Sequence, residues 1–447
     1  MGARSRKFFA AIILFQHMKN STFSGLNIRP EIIQAIDEMG FEAPTPIQER
    51  SIPVISSGRD MVGQAQTGTG KTAAFGIPAL QAADTSSGLP SILILCPTRE
   101  LAVQVTGELI KLSKYMNGIF TVPVYGGQPI SRQLKALKRG AQIVTGTPGR
   151  VIDHLKRGTL KLDNLKMVIL DEADEMLNMG FREDLEEILG YSHGKSQTVM
   201  FSATVPKQIR NIMNRWMDKP EMVKVEGKAE TAAGIEQYVM EVRDSVRTEA
   251  VERVIYMVQP RLSLIFCNTR RLCDTLVEEL KSRGFTADAL HGDMSQHIRD
   301  KVMNNFRRGN IEMLVATDVA ARGLDVDNVD IVFNYDIPQD PEYYVHRIGR
   351  TGRAGKSGMA ITFSSGKKRK RIRFIEKIIR TRLEPIPMPT LKEVELSKMD
   401  RELDDLIGTL QKGGLRPYIE QIEPIAEHGF TAIEIAAALF KMKVEKQ

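Results

Sequence analysis

Ala65-Gln66-Thr67-Gly68-Thr69-Gly70-Lys71-Thr72 is a glycine-rich loop that ends in Gly-Lys-Thr. It lies between a short apolar strand, marked by Met61 and Val62, and a helical stretch from Thr72 to Ala83. A phosphate-binding loop requires that context. Gly68 and Gly70 let the backbone curl until successive N–H groups point inward at an anion. Lys71 adds a point charge near the outer phosphates, and the Thr72 hydroxyl suits a Mg2+ ion. The following helix aims its positive N-terminal end at the same place. A turn that only caps a helix accounts for the glycines, but not for Lys71-Thr72 directly behind them. Gly68, Thr69, Gly70, Lys71 and Thr72 are therefore read as nucleotide contacts.

Around this loop, strand-like apolar runs alternate with amphipathic helical stretches from Phe23 to about Lys224. The expected strands are Ser91–Cys96, Thr121–Tyr125, Gln142–Thr145, Lys166–Asp171 and Gln197–Phe201. Several are almost continuously apolar, as strands covered on both faces are. Such alternation predicts an α/β fold, a mostly parallel sheet with helices on both sides. A small, polar stretch at 227–235 reads as a linker. A second alternating region follows, with strands at Leu262–Cys267, Glu312–Thr317, Asp330–Asn334 and Gly358–Phe363. Pro385, Pro387 and Pro389 then read as a stiff connector to helices at Leu391–Leu410, Tyr418–His428 and Thr431–Lys443. The expected domains are 20–226, 236–384 and a helical extension at 385–447.

A chain of 447 residues, 42% hydrophobic and 26% charged, calls for two or three globular domains. Its net charge of +7 suits a polyanionic partner. Three cysteines, Cys96, Cys267 and Cys273, form no C-x-x-C pair, which argues for a reducing, cytoplasmic setting and against a zinc or disulfide framework. Residues 1–19 read as an extension outside the fold. The apolar run Phe8–Phe15 is too short to span a bilayer and lacks a clear cleavage site, so no membrane partner is expected.

Motifs accumulate at strand ends. Met167-Val168-Ile169-Leu170 runs into Asp171-Glu172-Ala173-Asp174. A carboxylate that ends an apolar strand beside a phosphate loop suits Mg2+, and its neighbour suits activation of water. With this pair in place the chain resembles the DEAD-box RNA helicases, from Phe23 to about Gly358. Gly40-Phe41 and Pro44-Thr45-Pro46-Ile47-Gln48 resemble the family's adenine-reading segment. The resemblance implies Phe23, Phe41 and Gln48 as adenine contacts, since an amide pairs with the N6/N7 edge and a ring stacks on the base.

The resemblance further implies two tandem RecA-like domains, with ATP and Mg2+ as cofactors and RNA gripped largely through its backbone. Pro97, Thr98, Arg99, Gly127, Thr147, Gly149 and Arg150 match RNA-contacting elements of the first domain. Thr269, Gln296, Arg299, Thr317 and Gly323 match those of the second. Ser202-Ala203-Thr204, with Asp174, matches the coupling element. Asp325 matches the ribose contact, Arg350 and Arg353 the arginine fingers, and His346 a residue coupled to the acidic motif. Lys71, Asp171, Glu172, His346, Arg350 and Arg353 form the implied catalytic set. ATP and RNA together are expected to close the two domains and separate a short duplex. An ATP-gated RNA clamp and a DNA-directed helicase are the competing readings, and Gln48 with the Asp-Glu-Ala-Asp run argues against the DNA one. Ribosome assembly, RNA decay and cold adaptation are the settings the resemblance implies.

Two features stand apart. Lys367-Lys368-Arg369-Lys370-Arg371 reads as a solvated helix start, with a supplementary RNA contact as the lesser reading. The segment from about Arg401 resembles the dimerisation region of bacterial cold-shock members of the family. A homodimer and a helical appendage folded back on the second domain are equally expected there.

Overall fold

The computed structural model describes residues 22–65, 69–192, 196–225, 234–321, 329–339, 341–352, 357–426 and 428–445. The chain forms two units, each built on its own seven-stranded parallel sheet. In the first, a 3-10 turn at Phe23–Leu26 leads to α1 (Pro30–Glu38), α2 (Pro46–Ser56), β1 (Met61–Gln64), α3 (Lys71–Ala82), β2 (Ile92–Leu95) and α4 (Arg99–Leu112). Next come β3 (Thr121–Val124), α5 (Ile130–Lys138), β4 (Ile143–Gly146), α6 (Pro148–Lys156), β5 (Met167–Leu170) and α7 (Ala173–Asn178). The unit ends with α8 (Arg182–Ser192), β6 (Gln197–Ser202), α9 (Lys207–Trp216) and β7 (Glu221–Lys224). Its strand order is β3-β4-β2-β5-β6-β1-β7. The strands β2, β4 and β5 are buried along their whole length, and β2 and β5 accordingly read as unbroken apolar runs. One core face centres on Phe75 and Phe201, the other on Leu93, Val168 and Met200.

The second unit contains β8 (Ile235–Glu241), α10 (Arg247–Val258), β9 (Ser263–Cys267), α11 (Arg270–Ser282), β10 (Ala287–Leu290), α12 (Gln296–Arg307) and β11 (Met313–Thr317). These are followed by α13 (Asp318–Ala321), β12 (Ile331–Asn334), α14 (Pro341–Ile348), β13 (Gly358–Ser364), α15 (Arg369–Ile379) and β14 (Glu384–Ile386). Its order, β10-β11-β9-β12-β13-β8-β14, repeats the doubly wound plan of the first sheet. Three helices finish the chain: α16 (Leu391–Lys412), α17 (Arg416–Ala426) and α18 (Ala432–Glu445).

Two limits differ from the sequence expectation. The strand β8 opens at Ile235, inside the stretch read as linker, and Glu384-Pro385-Ile386 pairs with β8 rather than forming a free connector. Pro385 lacks an N–H, and it is tolerated because β14 is an edge strand. The strands β7, β8, β10 and β14 were not anticipated; β8 is internal, while β7, β10 and β14 lie at sheet edges. There polar side chains such as Glu221 and Asp288 interrupt the apolar run. No described helix is long and apolar enough to cross a membrane.

Candidate nucleotide and RNA site

Parallel strands bind ligands beyond their carboxyl ends, and the strand order decides which motifs become neighbours there. In the first unit β1, β6 and β5 are adjacent, so the phosphate loop, Ser202-Ala203-Thr204 and Asp171-Glu172 follow from neighbouring strands. On the other side, β2, β4 and β3 deliver Pro97-Thr98-Arg99, Thr147-Gly149-Arg150 and Gly127. The sheet thus separates the residues read as nucleotide contacts from those read as RNA contacts, with β5, which runs into Asp171-Glu172, between them.

The loop is clamped from the α2 side. Thr45 Oγ1 donates to the Thr69 carbonyl (2.9 Å) and Gln48 Nε2 donates to the Gly70 carbonyl (3.1 Å). Gln48 Oε1 accepts from the Thr45 N–H (2.9 Å), so the amide expected to read adenine is here engaged with the loop and with its own helix start. Gly70 adopts a left-handed conformation, φ 85°, at the N-cap of α3. A Cβ there would lie 2.5 Å from Gln48 Nε2 on a backbone that side-chain-bearing residues rarely adopt, which favours glycine. Phe41 is partly exposed, its ring centroid 6.3 Å from that of buried Phe23. Gly68 lies outside the described residues, as do Gly323, Asp325 and Arg353.

Lys71 is only 7% exposed, and its ammonium has no hydrogen-bond partner among the described residues. An unpaired buried cation is costly, and at the start of a helix it awaits an anion. Asp171 is also buried, with its Oδ1 accepting from the Glu172 N–H (3.0 Å). Burial pushes its carboxyl up to about 7, opposed by Lys71 and assisted by the neighbouring Glu172 charge. Glu172 itself holds a left-handed backbone, φ 51°, a strained conformation for a side-chain-bearing residue. Lys71, Thr72 and Asp171 suit a triphosphate with Mg2+, which takes one or two carboxylates and otherwise phosphate oxygens and water.

Asp174 is bound to the Ser202-Ala203-Thr204 run. Its Oδ2 accepts from the Thr204 N–H (2.8 Å) and the Thr204 hydroxyl (3.0 Å). The Ser202 hydroxyl donates to the Thr204 carbonyl at 2.6 Å. The acidic run is thus hydrogen-bonded to the end of β6 through Asp174.

On the opposite half, Thr98 caps α4 by accepting from the Leu101 N–H (3.2 Å). Gly127, φ 85°, leaves the room in which the Arg99 guanidinium packs: a Cβ would lie 2.1 Å from Arg99 Nη1. Thr147 is buried and donates its N–H to Val124. Arg150 donates to the Gln128 carbonyl (3.2 Å) and to Gln133 Oε1 (3.1 Å). Gln133 is nearly inaccessible, donates to the Tyr125 carbonyl (2.8 Å), and faces His154 Nε2 at 3.1 Å. His154 is fully buried, and burial with the nearby Arg150 charge lowers its affinity for a proton. His154 Nδ1 lies 2.9 Å from the Thr159 hydroxyl, which donates to the His154 carbonyl (3.1 Å). Sequence reasoning missed Gln133 and His154. Their only signal was two polar residues on otherwise amphipathic helices flanking the Thr-Pro-Gly-Arg run.

In the second unit Thr269 caps α11, accepting from the Leu272 N–H (3.2 Å), and buried Thr317 ends β11. Gln296 and Arg299 lie in the first turn of α12. His346 lies on α14 and Arg350 just past its end, itself mostly buried. The arginines of this run are not equivalent. Arg347 is fully buried and holds Asp318 through two bonds (2.5 and 2.7 Å), the Asp336 carbonyl (2.6 Å) and Asn268 (3.0 Å). It staples the ends of β9, β11 and β12 together.

Two wound α/β units, the first with a phosphate loop and an acidic strand end, define a P-loop nucleoside triphosphatase of the tandem-sheet class. The DEAD/DEAH box helicase model matches residues 45–212, the helicase conserved C-terminal domain 247–355, and the RNA helicase DeaD dimerization domain 389–447. The DEAD-box ATP-dependent RNA helicase CshA of Geobacillus kaustophilus is 45% identical over 94% of this chain and 90% of its own. That of Bacillus subtilis is 43% identical over 95% and 86%. Saccharomyces cerevisiae Dbp5 bound to RNA and ADP BeF3 superposes with a TM-score of 0.74 at 30% identity, over 85% of this chain and 99% of that one. The chain belongs to the DEAD-box ATP-dependent RNA helicases.

Proposed function

We propose that the enzyme binds ATP with Mg2+ at the loop of the first unit and hydrolyses it when RNA is bound. The observation that carries this reading is the buried Lys71 ammonium, without a hydrogen-bond partner among the described residues, beside the protonatable Asp171 carboxyl. Each lowers the cost of the other once a phosphate and a divalent cation occupy the space between the loop and β5. Mg2+ would neutralise charge on the phosphate oxygens, with Asp171 and the Thr72 hydroxyl on its side of the loop. Lys71 and the backbone N–H groups orient the phosphates. Glu172 takes the proton from the attacking water, and Arg350 and Arg353 of the second unit stabilise the developing charge. Phe23, Phe41 and Gln48 read the adenine, and Asp325 the ribose.

RNA is gripped through its backbone by Pro97, Thr98, Arg99, Gly127, Thr147, Gly149 and Arg150, and by Thr269, Gln296, Arg299, Thr317 and Gly323. Asp174, Ser202, Thr204 and His346 link the two occupancies, so that the units close on a strand and part a short duplex. Dimerisation through 389–447, a cytoplasmic setting, and work in ribosome assembly, RNA decay or cold adaptation complete the reading. The dimer is supported by the exposed Leu403, Leu406, Ile407 and Leu410 of α16. Steady-state ATP hydrolysis without nucleic acid, with single-stranded RNA and with matched DNA tests the proposal. RNA alone should stimulate, and Glu172→Gln should bind both ligands without turnover. Equal rates in all three conditions would remove the coupling argument.

A further inference from the structure

Between Lys367 and Arg382 stand nine Lys or Arg against the single Glu376, more net positive charge than the +7 of the whole chain. The segment forms α15, which docks through buried Ile372 and Ile375 and packs against α14. Its outer side is open. At 100° per residue, Arg373, Lys377, Lys370 and Phe374 occupy successive positions of one stripe. Arg380, left-handed at the helix end with φ 54°, and Arg382 continue the cationic run beyond it.

A solvated face alone does not explain this stripe. Glu376 is turned away, accepting from the Leu383 N–H at 2.9 Å. Arg371 donates to the Gln339 carbonyl (2.5 Å) and Arg369 reaches Glu241 at 3.9 Å. Among the described residues no ion pair engages Lys370, Arg373, Lys377, Arg380 or Arg382. Like charges three and four residues apart repel, so the face lowers helix stability until an anion covers it. Phe374, set among these cations, is 55% exposed. Unpaired cations with an interleaved aromatic ring make a surface for single-stranded nucleic acid, where phosphates meet the charges and a base stacks on the ring.

We propose that the α15 stripe is a second RNA-binding surface, which takes single-stranded RNA flanking the strand held at the site described above. Lys370 to Lys377 spans about 10 Å along the helix, room for roughly three backbone phosphates. Phe374 stacks on one base, and Arg380 and Arg382 carry the path past the helix end. The inference rests on the RNA-dependent activity proposed above, and the short-RNA arm below tests that activity separately.

The test compares the full chain with the triple variant K370Q/R373Q/K377Q and with Phe374→Ala. Two RNAs are used: the shortest strand that fully stimulates ATP hydrolysis, and one several times longer. On the short strand all three proteins should bind and turn over alike. On the long strand the triple variant should lose about 2 from the slope of log Kd against log salt, at about 0.7 per phosphate contact. Phe374→Ala should bind the long strand about tenfold more weakly with an unchanged slope. Arg in place of Lys370 and Lys377 keeps the charge and should restore parental binding, which separates charge from folding. Equal losses on both strands, or none on the long one, would overturn the proposal. So would loss of binding to anionic phospholipid vesicles with long-strand affinity intact, which would assign the stripe to a membrane surface. Absence of stimulation by the short strand would instead fail the activity itself.

Discussion

Asp171→Asn isolates what the buried carboxylate at the end of β5 costs the free enzyme. Its carboxyl ionises near 3.8 in an unfolded chain and about 7 in the folded one, because burial disfavours the charge more than Lys71 favours it. Below pH 3.8 both states are protonated and folding bears no cost. Between 3.8 and 7 the folded state holds a proton that the unfolded state has released, so this group lowers stability as pH rises. Above 7 the penalty is constant, about 4 kcal/mol from a gap of about three units at 1.36 kcal/mol each. Asn keeps an acceptor for the Glu172 N–H but deprives Lys71 of its neighbour, so a net gain of about 1–3 kcal/mol is expected at pH 8. Urea unfolding of the full chain without nucleotide or Mg2+ measures it. Trp216, the single tryptophan, lies on α9 of the unit that holds Asp171 and reports that unit. The advantage of the variant should be near zero at pH 4, grow to pH 7 and then level, while ATP hydrolysis falls to background. A pH-independent difference, or a variant less stable at pH 8, would refute the desolvation argument and make the Lys71–Asp171 pair net stabilising.

Gly70→Ala forces a Cβ onto the left-handed N-cap against Gln48, and should cost about 1–3 kcal/mol and most of the nucleotide affinity; ATP titration by calorimetry would show an unaffected loop if this is wrong. Gln133→Ala removes one of the two acceptors of Arg150 and leaves His154 Nε2 and the Tyr125 carbonyl unpaired, at about 1–3 kcal/mol. RNA affinity should fall about tenfold while ATP affinity measured without RNA stays parental, and Gln133→Glu, which keeps the acceptor for Arg150, should recover part of the RNA binding. Parallel losses in both ligands would mean that Gln133 only holds the fold. Ile407→Asp places a charge in the exposed apolar face of α16 and should reduce a dimer to a monomer in light scattering across a concentration series. A parental mass that is monomeric throughout would end the dimer reading.

The two-sheet architecture was legible because its central strands are covered on both faces and therefore read as unbroken apolar runs. The edge strands β7, β10 and β14 were not, since their open side admits polar residues, and β14 even admits Pro385. Residue chemistry packed into a few contiguous positions was equally plain: a loop of glycines before Lys71-Thr72, and two carboxylates closing an apolar strand. Such motifs need only neighbouring residues, and backbone geometry over a few positions sets what they can do.

What the sequence could not contain is the order of strands in the sheet. Alternation of strand and helix is the same whichever strands end up adjacent. Only the fold decides that β5, β6 and β1 stand together while β3, β4 and β2 form the other half. It alone parts the arginines of one short run, burying Arg347 among Asn268, Asp318 and Asp336, which lie 79, 29 and 11 residues away. It likewise joins Arg150 to Gln133 and His154, and Gln48 to Gly70. Hydrogen bonds and desolvation act over a few ångströms in space. Where they join residues distant along the chain, tertiary structure decides which groups meet and what they can do together.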